Sequence, residues 1–379
     1  MIAPKRCILF VDQFGTVGGG QRVLLGMVRR GVQRGWMVAA AVPQGPLVGM
    51  LEECGASVSV LDIPMLADGS KGWVDGVALG LALPHLVRQF RAAVRKYKPD
   101  LVHVNGGRAL LPVMLSHARM PVTFHAHTMM FGSAGTLAKG LLRSHRVKRV
   151  VVPSRVVAAF AKNSLKVPQS QIVTIPNWVD PSFAHGTVAT HRDEGAHAGQ
   201  LIVLVIGRVT ATKGQLDALQ SVLKVRAAGI DAVLWVAGVE DGPYVAELLE
   251  LSRFDPAALV RLGARDDVPE LLAGAHVVVV ASTWAETFGL AAVEAMAAGV
   301  PVIAYDSGAL SEVIGDAGML VPAGDRTALT AAMALLAANP QERHRLAALG
   351  RQRVSERFSY EVQTDALYAV FEDVVRSAP

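Results

Sequence analysis

Short, largely apolar runs, many rich in β-branched residues, recur along this chain, with helical patterns between them. In the first half they are Cys7–Val11, Met37–Val42, Ser57–Leu61, Leu101–Val104, Val122–His125, Val150–Val152 and Ile172–Ile175. In the second half they are Leu201–Ile206, Ala232–Ala237, Val260–Gly263, Val277–Val280 and Val302–Ala304. Runs of this type are buried in parallel sheets, where both faces are covered. The intervening Gln21–Arg34 and Leu86–Lys98 read as helices. The latter puts Leu86, Phe90, Ala93 and Tyr97 on one face and Arg88, Arg91 and Arg95 on another. Such βαβ alternation predicts an α/β fold with two doubly wound, Rossmann-like domains facing a cleft.

A length of 379 residues fits two domains. The polar stretch Phe183 to Gln200 holds Gly186, Gly195 and Gly199 and reads as the linker. Its His185, His191 and His197 could ligate a metal, but nothing fixes their geometry, and a solvated linker is the better reading. The expected boundaries are 1–182, a linker at 183–200, a second domain at 201–359, and a closing segment at 360–379.

Charge divides along the same line. Residues 1–182 carry 22 Lys and Arg against 8 Asp and Glu, and residues 183–379 carry 15 against 24. The first half is therefore at +14 and the second at −9, beneath an overall +5. No aromatic stacking motif or recognition-helix pattern accompanies the basic half, so nucleic acid is not the expected partner. An anionic membrane surface and an anionic acceptor fit equally. Lys139, Arg143, Arg146, Lys148 and Arg149 follow Met129, Met130 and Phe131. That segment reads equally as a membrane-lying surface or as a solvated helix face. Two cysteines, Cys7 and Cys54, argue for a reducing compartment, and no Cys/His cluster has zinc spacing. The apolar run Cys7–Val11 meets Asp12 too early for a signal peptide, and Gly76–Leu83 is too short to span a bilayer. The expected location is cytoplasmic, extended by peripheral attachment to the inner face of the membrane.

The segment Trp284 to Val302 carries the most chemistry. Glu286 falls in a loop between strand runs, and Glu294 lies about two turns into the helix that follows. In open α/β sheets ligands bind where strands end and helices begin. Free N–H groups near Phe288, Gly289 and Leu290 favour an anion such as a phosphate. Upstream, Gly207-Arg208 follows a strand, and Lys213-Gly214 arrives after a short loop. One planar cation and one point charge can together hold a diphosphate, though a solvated βα loop is the plain alternative. Gly18, Gly19 and Gly20 open a helix after the first strand without dinucleotide spacing. His125 and His127 share a face by strand alternation.

The string Ser282, Glu286, Phe288-Gly289, Glu294-Ala-Met-Ala, Gly299-x-Pro301-Val and Glu312-Val, in register, resembles the E-x7-E element of retaining GT-B glycosyltransferases of family 4, the glycosyl transferases group 1. Gly207-Arg208-x4-Lys213-Gly214 resembles that family's donor-diphosphate element. Ile175-Pro-Asn177-Trp178-Val-Asp180 resembles another element, with Trp178 in place of the usual Gly, and Gly238–Pro243 matches a nucleotide-side loop imperfectly. The resemblance implies that residues 1–182 select the acceptor, that 201–359 bind a nucleotide-sugar, and that Tyr360–Val375 crosses back to the first domain. It selects His127 as the active-site imidazole for donor-sugar contact, with Thr128 standing where many members have an acid. It implies Gly19 and Gly20 close to the donor phosphates, Arg208 and Lys213 on the diphosphate, Glu286 on the sugar and Glu294 on the ribose. A nucleotide-diphosphate sugar is then the donor substrate, an unidentified hydroxyl the acceptor, and neither a bound cofactor nor a metal is required. A GT-B epimerase, a phosphorylase or a non-catalytic sugar-nucleotide-binding protein are the alternatives.

Overall fold

Strand residues with no polar face need cover on both sides, and the structure supplies it twice. The computed structural model describes residues 6–64, 73–183, 199–240 and 242–378. The expected linker lies, from 184 to 198 and with its three histidines, outside the described residues. Two compact units divide the chain: Met1–Pro176 with Glu361–Pro379, and Asn177–Tyr360.

The first unit holds β1 (Cys7–Asp12), β2 (Met37–Val42), β3 (Ser57–Val60), β4 (Leu101–Asn105), β5 (Val122–His125), β6 (Val147–Val152) and β7 (Ile172–Thr174). They form one parallel sheet in the order β3-β2-β1-β4-β5-β6-β7. The second unit holds β8 (Leu201–Ile206), β9 (Ala232–Ala237), β10 (Leu259–Gly263), β11 (Val277–Val280), β12 (Val302–Asp306) and β13 (Met319–Pro322). Its parallel order is β10-β9-β8-β11-β12-β13. Strand order reverses direction between β1 and β4, and again between β8 and β11. Such switch points leave a crevice at the carboxyl edge where loops can hold a ligand.

Period-two alternation sorts each strand between two cores. Ile202, Leu204, Val278, Val280, Val302 and Ala304 pack on one face of the second sheet. Leu201, Val203, Val205, Val277, Val279, Ile303 and Tyr305 pack on the other. In the first sheet Leu9, Val11, Ala39, Ala41, Val102 and Val104 share one core. Strand β13 was not expected from sequence. It is a four-residue edge strand whose apolar run, Met319 to Val321, stops at Pro322 and is too short to stand out. The helix expected from Leu86 begins earlier, spans Trp73–Tyr97 and runs through Pro84. Leu86, Phe90 and Ala93 are buried as its periodicity requires, whereas Leu81 is 80% exposed. No helix among the described residues is long and apolar enough to cross a membrane.

The last helix, Tyr360–Arg376, completes the first unit from the far end of the sequence. Leu367, Tyr368, Phe371 and Val374 lie on its buried stripe. Phe371 meets Phe10 and His103 at ring-centre distances of 6.3 and 5.0 Å. Asp365 takes two hydrogen bonds from Arg30, at 2.9 and 2.6 Å, and is held below the usual carboxylate range mainly by that partner. Arg34 reaches Glu372 at 2.8 Å, and Arg149 reaches Asp373 at 3.0 Å. The Tyr368 hydroxyl donates to the Met27 carbonyl at 2.9 Å. That approach requires glycine at position 31, where a Cβ would stand 2.1 Å from the Tyr368 oxygen. Gly31→Ala is therefore expected to destabilise the protein by about 1–3 kcal/mol, the cost of overpacking a full core. Denaturant unfolding checks this. Adding Tyr368→Phe removes the clashing oxygen and should recover part of the loss; strict additivity of the two changes would contradict the packing argument.

Candidate functional site

In the second unit, the loops after β8 and β11 carry the polar groups. Residues 207–214 leave β8, and Gly214 turns into helix Gln215–Ala227 with φ of 70°. A Cβ there would lie 2.0 Å from the Ala281 carbonyl, so glycine is what lets the two loops touch. Thr283 N–H donates to the Thr212 carbonyl at 3.0 Å and fastens them. Lys213 Nζ consequently meets Glu286 Oε1 at 2.5 Å, and Ser282 Oγ donates to the same oxygen at 2.6 Å. Lys213 is 39% exposed and Glu286 16% exposed, so the pair faces solvent on the cation's side. The Glu286 carbonyl accepts Ala309 N–H at 2.8 Å, which fixes its backbone.

Gly289 caps helix Leu290–Ala297, and Glu294 lies buried within that helix. Phe288 is buried against Phe358, with ring centres 5.4 Å apart, so it can offer a ligand only its backbone. Arg208 is exposed on its loop, and its carbonyl accepts Gln215 Nε2 at 2.9 Å. Buried Asn177 and Trp178 begin this unit, Trp178 packing edge-on to Tyr360 at 6.4 Å.

In the first unit, the matching edge holds a hydrogen-bonded chain. Asp12 ends β1 and Asn105 ends β4, and the two are register partners. Asp12 is fully buried and accepts from Phe14 N–H at 2.9 Å, from Gln21 Nε2 at 3.1 and 3.2 Å, and from Asn105 Nδ2 at 2.5 Å. Burial raises its pKa, and these donors oppose the rise. Asn105 Nδ2 also reaches the Gly20 carbonyl at 3.3 Å. His127 Nε2 lies 2.5 Å from Asn105 Oδ1. A Cβ on Gly20 would sit at ordinary contact distance, 3.5 Å, from the His127 ring. Gly19, exposed, opens helix Gly19–Gln33.

His125 is fully buried and stacks on His127 at 4.0 Å, and neither of its ring nitrogens has a partner. It is a packed neighbour. His103 lies edge-on to His125 at 5.7 Å, with Nδ1 at 2.8 Å from Thr123 Oγ1. Desolvation lowers all three imidazoles: His127 to about 4, His103 to about 3, His125 well below its ordinary value.

Sequence reading singled out Lys213, Glu286, Gly20 and His127, and the structure joins the first two in one contact and sets the last two side by side. It passed over Asp12, Gln21 and Asn105. The available signal was a polar residue closing an otherwise apolar strand, as in Asp12 after Val11 and Asn105 after Val104. No group of three or more His, Cys, Asp or Glu among the described residues has metal-holding geometry.

The family model for Glycosyltransferase Family 4 matches residues 17–183, and that for Glycosyl transferases group 1 matches residues 188–353. The chain is 31% identical over 221 residues to the N-acetyl-alpha-D-glucosaminyl L-malate synthase of Bacillus anthracis, the match covering 56% of this chain and 57% of that protein. Against this and the next relatives the chain spans little more than half of their length. It is 28% identical over 383 residues to the phosphatidyl-myo-inositol mannosyltransferase of Mycobacterium leprae, covering 96% and 95%. Among solved structures, Anabaena Alr3699/HepE in complex with UDP superposes with a TM-score of 0.80 at 22% identity, covering 97% of this chain and 99% of that one, and so shares the GT-B fold. Two family models in chain order, one over each half, identify the chain as a member of glycosyltransferase family 4, the glycosyl transferases group 1.

Proposed function

We propose that the protein is a retaining glycosyltransferase that moves a hexose from a nucleotide-diphosphate sugar to an acceptor hydroxyl, in glycolipid or other cell-envelope glycan synthesis. The observation that carries this reading is the Lys213–Glu286–Ser282 contact at the switch point of the second sheet. A lysine there can serve two anions in turn, the Glu286 carboxylate and a diphosphate. Arg208 and Lys213 neutralise the charge that builds on the departing diphosphate as the bond to the anomeric carbon breaks. N–H groups at Phe288, Gly289 and Leu290 add to the same pull. Glu286 contacts the sugar and Glu294 holds the ribose hydroxyls; Gly19, Gly20 and His127 are read as donor-side residues. The two cations supply charge that a metal supplies elsewhere, so the reaction proceeds without one. The relatives' names, a mannosyltransferase of a phosphatidylinositol and a glucosaminyl malate synthase, support a hydroxyl acceptor. The UDP bound to HepE supports a nucleoside-diphosphate leaving group.

Arg208→Ala and Lys213→Ala are each expected to lose about 3–4 kcal/mol of transition-state stabilisation, roughly a 10²- to 10³-fold fall in turnover. The assay is nucleoside-diphosphate release from a panel of UDP-, GDP- and ADP-sugars, with melting curves as a folding control. Near-normal turnover in both variants would remove the diphosphate assignment.

The basic first unit extends the proposal to a membrane-proximal acceptor. Phe131 and Leu137 are 54% and 47% exposed at helix Gly132–Leu142, which carries Lys139 and is followed by Arg143. Two neighbouring cations are engaged within the fold: Arg146 donates to the Met114 carbonyl at 2.8 Å, and Arg149 pairs with Asp373. Lys139, Arg143 and Lys148 remain, each contributing about 1 kcal/mol near an anionic surface. Co-sedimentation with phosphatidylserine-containing vesicles is expected at low salt and lost at high salt. No binding at low salt would contradict the docking surface.

A further inference from the structure

The buried carboxylate of Asp12 has no part in the transfer proposed above, yet its surroundings are ordered around it. Every polar atom that reaches it is a donor: Phe14 N–H, Gln21 Nε2 and Asn105 Nδ2. That arrangement suits an ionised carboxylate, which only accepts. It also decides which way the Asn105 amide points. With Nδ2 directed at Asp12 and at the Gly20 carbonyl, Oδ1 is left facing His127. An amide oxygen cannot donate, so the nitrogen 2.5 Å away must carry the proton.

We infer that Asp12, acting through the Asn105 carboxamide, holds His127 as the neutral Nε2–H tautomer, in which Nδ1 carries no proton. Asp12 and Asn105 are thus positioning residues. The inference rests on the reading of His127 as a donor-site residue and adds its chemistry: the ring is neutral, its one proton is committed to Asn105, and it does not act as a proton donor to the sugar. A neutral amide between carboxylate and ring is what makes the difference. A carboxylate in direct contact would favour the imidazolium, whereas the amide passes on orientation without a full charge. The neighbouring rings agree. His125 stacks on it and His103 lies beyond, so a proton on His127 would face two more imidazoles. Burial adds to this by lowering His127 to about 4.

Long-range 1H–15N NMR on the full chain, labelled with 15N-histidine, reads which ring nitrogen carries the proton. The His127 signal is assigned by its loss in His127→Asn. The expected wild-type result is a single Nε2–H form from pH 8 down to about pH 5, below which the lowered pKa allows the ring to charge. Asp12→Asn can donate as well as accept, so it should release the Asn105 amide and give a mixture of tautomers. Turnover should then fall on the order of 10- to 100-fold, the scale seen when a partner that orients a functional imidazole is lost. Nucleoside-diphosphate affinity should fall far less than turnover, because the two cations read as holding the diphosphate, Arg208 and Lys213, belong to the second unit. Asn105→Asp places an anion against the ring and should raise the His127 midpoint by at least one pH unit. A wild-type Nδ1–H form, or an imidazolium at pH 7, would overturn the inference without needing any variant to fold. So would unchanged tautomer populations in Asp12→Asn. A chain that transfers no sugar but shows the Nε2–H form would overturn the functional reading and leave this one standing.

Discussion

A parallel sheet covered on both faces has only one place for polar chemistry, the edge where its strands end. The second unit follows this constraint, and the first departs from it in β4 and β5, where His103, Thr123 and His125 are buried. Buried apolar side chains line both faces of the second sheet, sorted strictly by alternation. Polar groups begin where the strands stop: Arg208 and Lys213 after β8, Ser282 and Glu286 after β11, Asp12 and Asn105 at the ends of β1 and β4. The close-packed layers fix where each strand ends, and the strand ends fix the geometry of the charged groups. The Lys213–Glu286 pair shows how little of this is done for stability. A partly exposed ion pair contributes about 0–1 kcal/mol, so its meaning lies in position.

The terminal helix changes how the charge of the first unit should be read. By sequence position, Glu361, Asp365, Glu372 and Asp373 count with the acidic half. In the fold they belong to the first unit, where three of them pair with Arg30, Arg34 and Arg149. Part of the basic excess is therefore internal structure, and the surface available to an anionic partner is smaller than residue counts suggest. The same helix brings Phe371 against His103, so the buried imidazole row is shielded by residues far away in the chain.

Sequence made the α/β class and most strand positions legible, because fully buried strands leave continuous apolar runs. Met37–Val42, Val122–His125 and Val277–Val280 begin and end where the apolar pattern does. It missed β13 because its apolar run is only Met319 to Val321, cut short by Pro322. Lys213 and Glu286 could be singled out because each sits in a local motif with a glycine turn. Their mutual contact could not, since it depends on Gly214 passing against Ala281, which only packing determines. Asp12, Gln21 and Asn105 were invisible for a related reason. Asp12 and Asn105 become neighbours through the pairing of β1 with β4, and one polar residue at a strand end is an ordinary sight in any sequence.

The central claim is that the loops after β8 and β11 form one donor-diphosphate site in which Lys213 is shared between Glu286 and the ligand. Calorimetric titration of the nucleoside diphosphate of the preferred donor into wild type, Glu286→Gln and Glu294→Gln tests it most directly. Removing the Glu286 charge releases Lys213 to the diphosphate, so affinity should hold or tighten, while losing the Glu294 carboxylate should weaken it. Equal affinities across all three proteins, or weaker binding confined to Glu286→Gln, would contradict the account.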